Sequence, residues 1–447
     1  MFFKEKAFSS SHIIMAGFGG MILFGTILLM LPISSQDGTV TGFLDALFTA
    51  TSATCVTGLI VFDTATHWSM FGQLVILLLI QVGGMGVVTM AIAIVICTGR
   101  RIGLKHRCLM QESIAAPQVG GVVRLTGFIF RTTILIEGIG AILLSFVFCP
   151  QMGFLKGIWY SVFHSISAFC NAGFDLMGVQ APFSSLVSYA DHTLINIVIT
   201  SLIIVGGIGF FVWDDIRTHT WHFREYRLHT KLVLITTCLL LLLPFLLFFG
   251  LEFGNGVWGF SSMKERVLAS WFHAVSPRTA GFNTVDLTKL SEPALFFTII
   301  LMIIGGSSGS TAGGIKTTTI ATLFLCIRAV FANRSNIQCF GRRFPIEILR
   351  RAVTIFTLYL LFFLTGGIAI CAIEDIPLLT ALFETASAIG TVGLSLGITP
   401  NLSTLSHMIL ILLMFFGRVG GLTLIYIVSN THAPEVSQHP QESITIG

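Results

Sequence analysis

The chain has 447 residues, of which 54% are apolar and only 10% are Asp, Glu, Lys or Arg. A soluble chain of this size needs about 25% charged residues to cover its surface. The composition therefore excludes a soluble enzyme, a disordered scaffold and a nucleic-acid binder, and it implies a polytopic membrane protein. The 45 glycines imply close helix packing and non-helical backbone at membrane depth. The 9 cysteines are scattered and never spaced CxxC, so they read as small apolar residues and not as a disulfide or metal framework. No cleavable signal peptide is expected, because no small-residue cleavage site and soluble domain follow the first apolar run.

A helix needs roughly 20 apolar residues to cross a bilayer. In chain order, spans are expected at 11–32, 69–98, 124–148, 190–213, 229–250, 293–331, 350–373 and 405–429. Between the members of each pair lies a shorter, half-apolar stretch suited to a re-entrant helix. These stretches run Phe48 to Gly58, Phe163 to Gly173, Phe272 to Gly281 and Phe383 to Gly393. Each places a Ser four residues after its Phe: Ser52, Ser167, Ser276 and Ser387. Each following span carries a glycine pair, at Gly83-Gly84, Gly206-Gly207, Gly305-Gly306 and Gly420-Gly421. The chain thus repeats one unit four times. The expected units are 1–105, 106–222, 223–335 and 336–430, followed by a cytoplasmic tail, 431–447. The expected fold is all-α: four tandem helix–pore helix–helix repeats, eight transmembrane helices, with pseudo-fourfold symmetry around a single ion path.

Charge sets the orientation. Of the 25 Lys and Arg residues, 18 lie in the N-terminal tail and the inter-repeat segments, among them Lys4, Arg100, Arg224 and Arg343. The positive-inside rule places both termini and these segments in the cytoplasm. The net charge of +4 reflects that orientation and not an acidic partner.

Four re-entrant helices around one axis aim their partially negative C-terminal ends at it. Loops returning from that depth can present backbone carbonyls to the axis, and rings of carbonyls select monovalent cations, usually K+. Glycine permits the left-handed or extended backbone that such a ring requires. None of the four loops places Asp or Glu at its glycine or the two positions before it, which argues against a divalent-cation filter.

These motifs resemble the Trk/Ktr/HKT superfamily of potassium transporters, most closely its bacterial Ktr-type (KtrB-like) membrane subunit. The resemblance is carried by TCVTGL (54–59), CNAGF (170–174), SPRTAGFN (276–283), GTVGLS (390–395), GGSSGSTAGGIKTTT (305–319) and FGRVGGLT (416–423). The start of the first repeat near residue 11 favours the Ktr type over the Trk type, which has two extra helices. The resemblance implies K+ uptake across the bacterial cytoplasmic membrane, with Na+ handled or symported in some members, no covalent cofactor and no enzymatic activity. It implies a homodimer and a cytosolic, nucleotide-binding, KtrA-like regulatory ring. A Trk-type subunit and a non-transporting membrane assembly subunit are the alternatives.

Carried over by resemblance, the K+ filter comprises Val56, Thr57, Gly58, Asn171, Ala172, Gly173, Thr279, Ala280, Gly281, Thr391, Val392 and Gly393. Asn171 either adds a side-chain oxygen or braces its loop, and Arg278 is expected to pair with an acid outside the pore. The family's gating loop falls on Gly305, Gly306, Ser307, Ser308, Gly309, Ser310, Thr311, Gly313, Gly314 and Lys316. A phosphate-binding loop is the rival reading, but Ile315 puts one residue too many before Lys316 and no strand precedes it. A plain kink is the other. Arg418, inside the last span, is costly unless paired or wetted. It either tethers the gating loop or staples two helices permanently. Glu137 lies inside the span 124–148; its partner is not legible, although Arg131 stands near at roughly helical spacing, and it reads as structural. His164 and His273 share one repeat position with Thr49 and Glu384 and read as polar packing, not as metal ligands.

Overall fold

The computed structural model describes residues 10–87, 89–90, 121–179, 181–220, 222–254, 256–260, 262–334 and 336–420. The tail 431–447, residue 421 and the basic residues at 4–6 and 100–107 lie outside the described residues.

Four long apolar helices open the successive units: α1 (Ser10–Leu29), α4 (Val122–Met152), α8 (Leu228–Leu247) and α12 (Ile346–Glu374). A π-helical turn, Phe248–Glu252, extends α8. With that turn, each is long and apolar enough to cross a membrane by itself. Their outward faces expose Phe24, Leu135, Phe146 and Leu246, as lipid-facing helices do. Each unit then carries a short helix: α2 (Phe43–Thr54), α5 (Phe154–Phe169), α9 (Met263–Val275) and α13 (Leu378–Gly390). The anchors Phe48, Phe163, Phe272 and Phe383 are all buried. Between the third and fourth units a small hairpin pairs Gln338–Cys339 with Arg342–Arg343.

The closing helix of each unit is α3 (Met70–Met85), α6 (Thr193–Ile208), α10 (Glu292–Ile303) and α14 (Thr404–Val419). Each packs on the short helix of the next unit: α3 on α5, α6 on α9, α10 on α13, and α14 back on α2. That cyclic exchange closes the pseudo-fourfold ring. It places the C-terminal ends of all four short helices in the middle.

The sequence reads only the sixth span as broken. In the structure the closing helices of the other three units also stop, each at a glycine. Gly86, Gly209 and Gly420 end α3, α6 and α14 with φ of 86°, 105° and 87° and ψ of 130°, 144° and 144°. A left-side φ of this kind stops a helix without the Cβ penalty that other residues incur. At Gly209 the chain turns by 91° into α7 (Phe210–His219). The third unit instead inserts a loop after α10, and α11 (Thr317–Phe331) follows it.

The outer ends of the closing helices share a device that the hydropathy pattern does not reveal. Ser69, His192, Ser291 and Ser403 each accept a bond from a backbone N–H in the first turn. Two of these caps are themselves gripped by the end of the preceding long helix. Glu252 accepts from the Ser291 amide at 3.1 Å and from its hydroxyl at 2.5 Å. Glu374 accepts from the Ser403 amide at 2.9 Å and its hydroxyl at 2.6 Å. Replacing Ser291 or Ser403 with Ala should each cost about 1 kcal/mol. The check is the unfolding midpoint of the detergent-solubilised protein, which should fall while ion uptake per inserted protein is retained.

Candidate ion-selective site

Each short helix ends in a triplet of the same backbone shape. The first residue has positive φ: Val56 57°, Asn171 60°, Thr279 68° and Thr391 50°. The third is glycine, again with positive φ: Gly58 94°, Gly173 71°, Gly281 81° and Gly393 92°. Non-glycine residues rarely adopt such angles, and four at one repeat position mark strain held for a purpose. The repeated serines hold it. Ser52 and Ser387 accept from the amides of Gly58 and Gly393 at 3.1 and 3.0 Å. Ser167 donates to the carbonyl of Phe174 at 2.7 Å, and Ser276 donates to that of Phe282.

The four glycines form a closed ring. A Cβ on Gly58 would strike the Ala172 carbonyl oxygen, one on Gly173 that of Ala280, one on Gly281 that of Val392, and one on Gly393 that of Thr57. The cycle runs through the units in order and returns to the first. Among the described residues, the carbonyls of Val56, Thr57, Asn171, Ala172, Thr279, Ala280, Thr391 and Val392 accept no hydrogen bond. All eight residues are at most 1% exposed. Buried backbone carbonyls are almost always paired, so eight bare ones around one axis point to a ligand that replaces the donors. No carboxylate joins them. The negative ends of four helix dipoles add to their field. Outside the ring, the four glycines floor a cup of about 380 Å³.

Below the ring lies the segment between Ile304 and Ile315, whose ends meet in a parallel bridge. Gly305 donates to the Ile315 carbonyl at 2.9 Å. Thr311 is its hub. Its amide bonds the Gly206 carbonyl at 3.3 Å, and its hydroxyl reaches the Phe169 carbonyl at 3.1 Å and the Asn171 Oδ1 at 3.2 Å. Asn171 passes the contact on, donating from Nδ2 to Thr279 at 3.4 Å. Its side chain therefore braces two filter loops. A Cβ on Gly313 would strike the Thr391 side chain. The loop of the third unit thus touches the second and fourth triplets, which face each other across the axis. Lys316 folds its Nζ onto the Ala312 carbonyl at 2.7 Å.

Among the described residues Arg418 pairs with no acid. It donates to the Thr311 carbonyl and to the carbonyls of Gly83 and Gly84, the last at 2.8 Å. Carbonyls at the end of α3 are the negative pole of a helix and satisfy the cation without a carboxylate. The structure also corrects the fourth glycine pair. Gly83, Gly206 and Gly417 each abut a carbonyl at the C-terminal end of a short helix, those of Thr54, Phe169 and Ile389. The register therefore aligns Gly417, not Gly420, with the first glycine of each pair. Arg418 stands where the first two units have Gly84 and Gly207.

Of the other polar candidates, Arg278 departs from the sequence reading. Glu137 is held by Gln81, which donates to both its oxygens at 3.1 Å, and not by Arg131. Arg278 makes no ion pair among the described residues, and its Nε has no partner. It is buried at the C-terminal end of α9, where the helix dipole offsets its charge in place of an acid. His164 takes its Nδ1 to the Tyr160 carbonyl at 2.7 Å and accepts from the Leu176 amide at 3.3 Å. His273 meets Thr298 at 3.2 Å, and Glu384 accepts from Ser395 at 2.7 Å. In three units this repeat position ties a short helix to the chain beyond its loop, whereas Thr49 bonds the Asp45 carbonyl in its own helix at 2.9 Å.

The fold and the ring define a membrane protein with one axial path past a collar of backbone oxygens. The family model described as "TrkH: Cation transport protein" matches residues 9–438, and the chain belongs to that family. It is 42% identical to the Ktr system potassium uptake protein B of Bacillus subtilis, over 99% of this chain and 98% of that one. It is 39% identical to the potassium/sodium uptake protein NtpJ of Enterococcus hirae, again over 99% and 98%. Its fold matches the crystal structure of the potassium transporter TrkH from Vibrio parahaemolyticus with a TM-score of 0.73, covering 96% of this chain and 86% of that one at 20% identity.

Ser387→Ala removes the one side-chain bond that fixes the Gly393 amide. Competition of Na+ against Rb+ uptake should then become several-fold stronger, with the protein still inserted.

Proposed function

We propose that this chain is the ion-translocating subunit of a Ktr-like system for K+ uptake across the cytoplasmic membrane. The observation that carries the reading is the ring of eight buried, unpartnered carbonyls at the convergence of four helix ends. Val56, Thr57 and Gly58, with their counterparts in the other three units, form the filter. A K+ ion sheds water there and takes carbonyl oxygens in exchange. One left-handed glycine per unit gives a short collar, which fits a protein that also admits Na+. The similarity to both a potassium and a potassium/sodium uptake protein supports the same range. A membrane assembly subunit with no transport role would leave the bare carbonyls without a purpose.

The loop 305–314 with Lys316 is the gate. Its contacts with two opposed filter loops support an obstruction under the ring, and Arg418 holds it there through Thr311. The charge of Arg418 also repels a cation on the axis. Termini and inter-repeat segments face the cytoplasm. A nucleotide-binding, KtrA-like ring docks on those basic segments and withdraws the loop, and two copies of this chain form the membrane unit.

Gly393→Ser drives a Cβ into the Thr57 carbonyl and strains a φ of 92°. The K+ over Na+ preference should fall about tenfold, or about 1.4 kcal/mol, in uptake measured in K+-transport-deficient cells. Retained preference and affinity would contradict the filter.

Arg418→Ala frees the loop and removes the repelling charge. Flux per inserted protein should rise several-fold and depend less on the cytosolic partner. A permanent staple predicts lower abundance and lower flux together.

A further inference from the structure

The cup outside the ring carries one charged side chain among the described residues that line it, Asp175. It lies two residues beyond Gly173, so its carboxylate stands at the rim of the filter. One oxygen accepts from the Met177 amide at 2.9 Å. No Lys, Arg or His pairs with it among the described residues. An unneutralised carboxylate in a narrow concave site focuses its field into the cavity and concentrates counter-ions there. A volume of 380 Å³ holds about a dozen waters. A cation in the cup therefore keeps most of its hydration while it feels the charge.

We propose that Asp175 makes the cup an outer binding site for a monovalent cation, K+ or Na+, which waits there before entering the ring. The inference rests on the ion-conducting reading of the ring, and it adds a residue outside the filter that sets affinity. An outer charge raises local ion concentration. It acts when external K+ is scarce and vanishes at saturation, so it lowers the apparent KM and leaves Vmax alone.

The acidic groups around Asp175 are engaged elsewhere. Asp63, from the first unit, faces it but is taken up by the amides of Ala65 at 2.9 Å, Thr66 at 3.1 Å and Phe183 at 2.9 Å. Tyr160 and His164 approach from α5, and Glu384 lies across the cup behind Ser395 and Thr399. Asp175 is the carboxylate that lines the cup itself.

Asp175→Asn is the discriminating variant, because the amide oxygen keeps the bond to the Met177 N–H while the charge is removed. Rb+ uptake by full-length protein in K+-transport-deficient cells, at low ionic strength and about pH 8.5, should show KM raised about three- to tenfold. Vmax per inserted protein should be unchanged. Wild-type KM should rise toward the variant's as ionic strength is raised, and the variant's should stay nearly flat. An unchanged KM, or a lower Vmax at the same KM, overturns the outer site and leaves Asp175 as a turn residue. If the variant does not insert, the wild-type ionic-strength series decides, and a flat KM overturns it. Gly393→Ser, run in parallel, reports on the ring separately. Normal ion preference there sinks the filter reading, while a flat Asp175 result beside altered preference sinks the outer site alone.

Discussion

Four chain segments must bring bare backbone oxygens together at one point inside a membrane. That is the constraint on which the rest of this structure depends. A buried, unpaired carbonyl costs free energy, and eight occur side by side here. They persist only because the scaffold leaves them no other partner. Each short helix ends where its C-terminal carbonyls and the triplet beyond converge. The repeated Ser fixes the end of the triplet, the repeated Phe anchors the helix in the core, and each closing helix braces the next unit's short helix. Glycine is required at the ring because every Cβ direction is already filled by a neighbouring carbonyl.

The outer half keeps the fourfold pattern and the inner half breaks it. Three closing helices end at one left-handed glycine, and the third unit inserts a loop instead. The fourth unit places Arg418 where the first two have glycine. These two departures meet at Thr311. A symmetric collar suits an ion that must be surrounded evenly. The loop and Arg418 break the symmetry on the inner side, which supports the proposed blockade. The polar loop is tolerated at this depth because protein and the axial path surround it, not lipid.

Much of the site was legible in the sequence. Phe, Ser and Gly recur at nearly fixed offsets, because each unit solves the same local geometry with the same residues. The breaks at Gly86, Gly209 and Gly420 were not legible. A lone glycine in an apolar run reads as packing, and only the left-handed φ separates a helix end from a close contact. The adjacent glycines at 420 and 421 also drew the eye from Gly417, whose role shows only in its contact with the Ile389 carbonyl. The acid expected for Arg278 is absent among the described residues, and the partner of Glu137 was not legible, for one reason. Charge arithmetic looks for opposite charges, whereas helix-end carbonyls and a glutamine amide serve as well within a membrane. Serine caps at Ser291 and Ser403 were visible as Ser before a helical run, but a hydropathy window passes over them.

The central claim is that the bare carbonyls hold the transported ion. Rb+ scatters anomalously, so its position can be located in crystals of the full chain grown in a Rb+ salt. An ordered Rb+ peak on the axis, encircled by the carbonyl oxygens of Thr57, Ala172, Ala280 and Val392, is the result expected. Ordered Rb+ elsewhere along the path, with these oxygens bonded to protein or water alone, would contradict it.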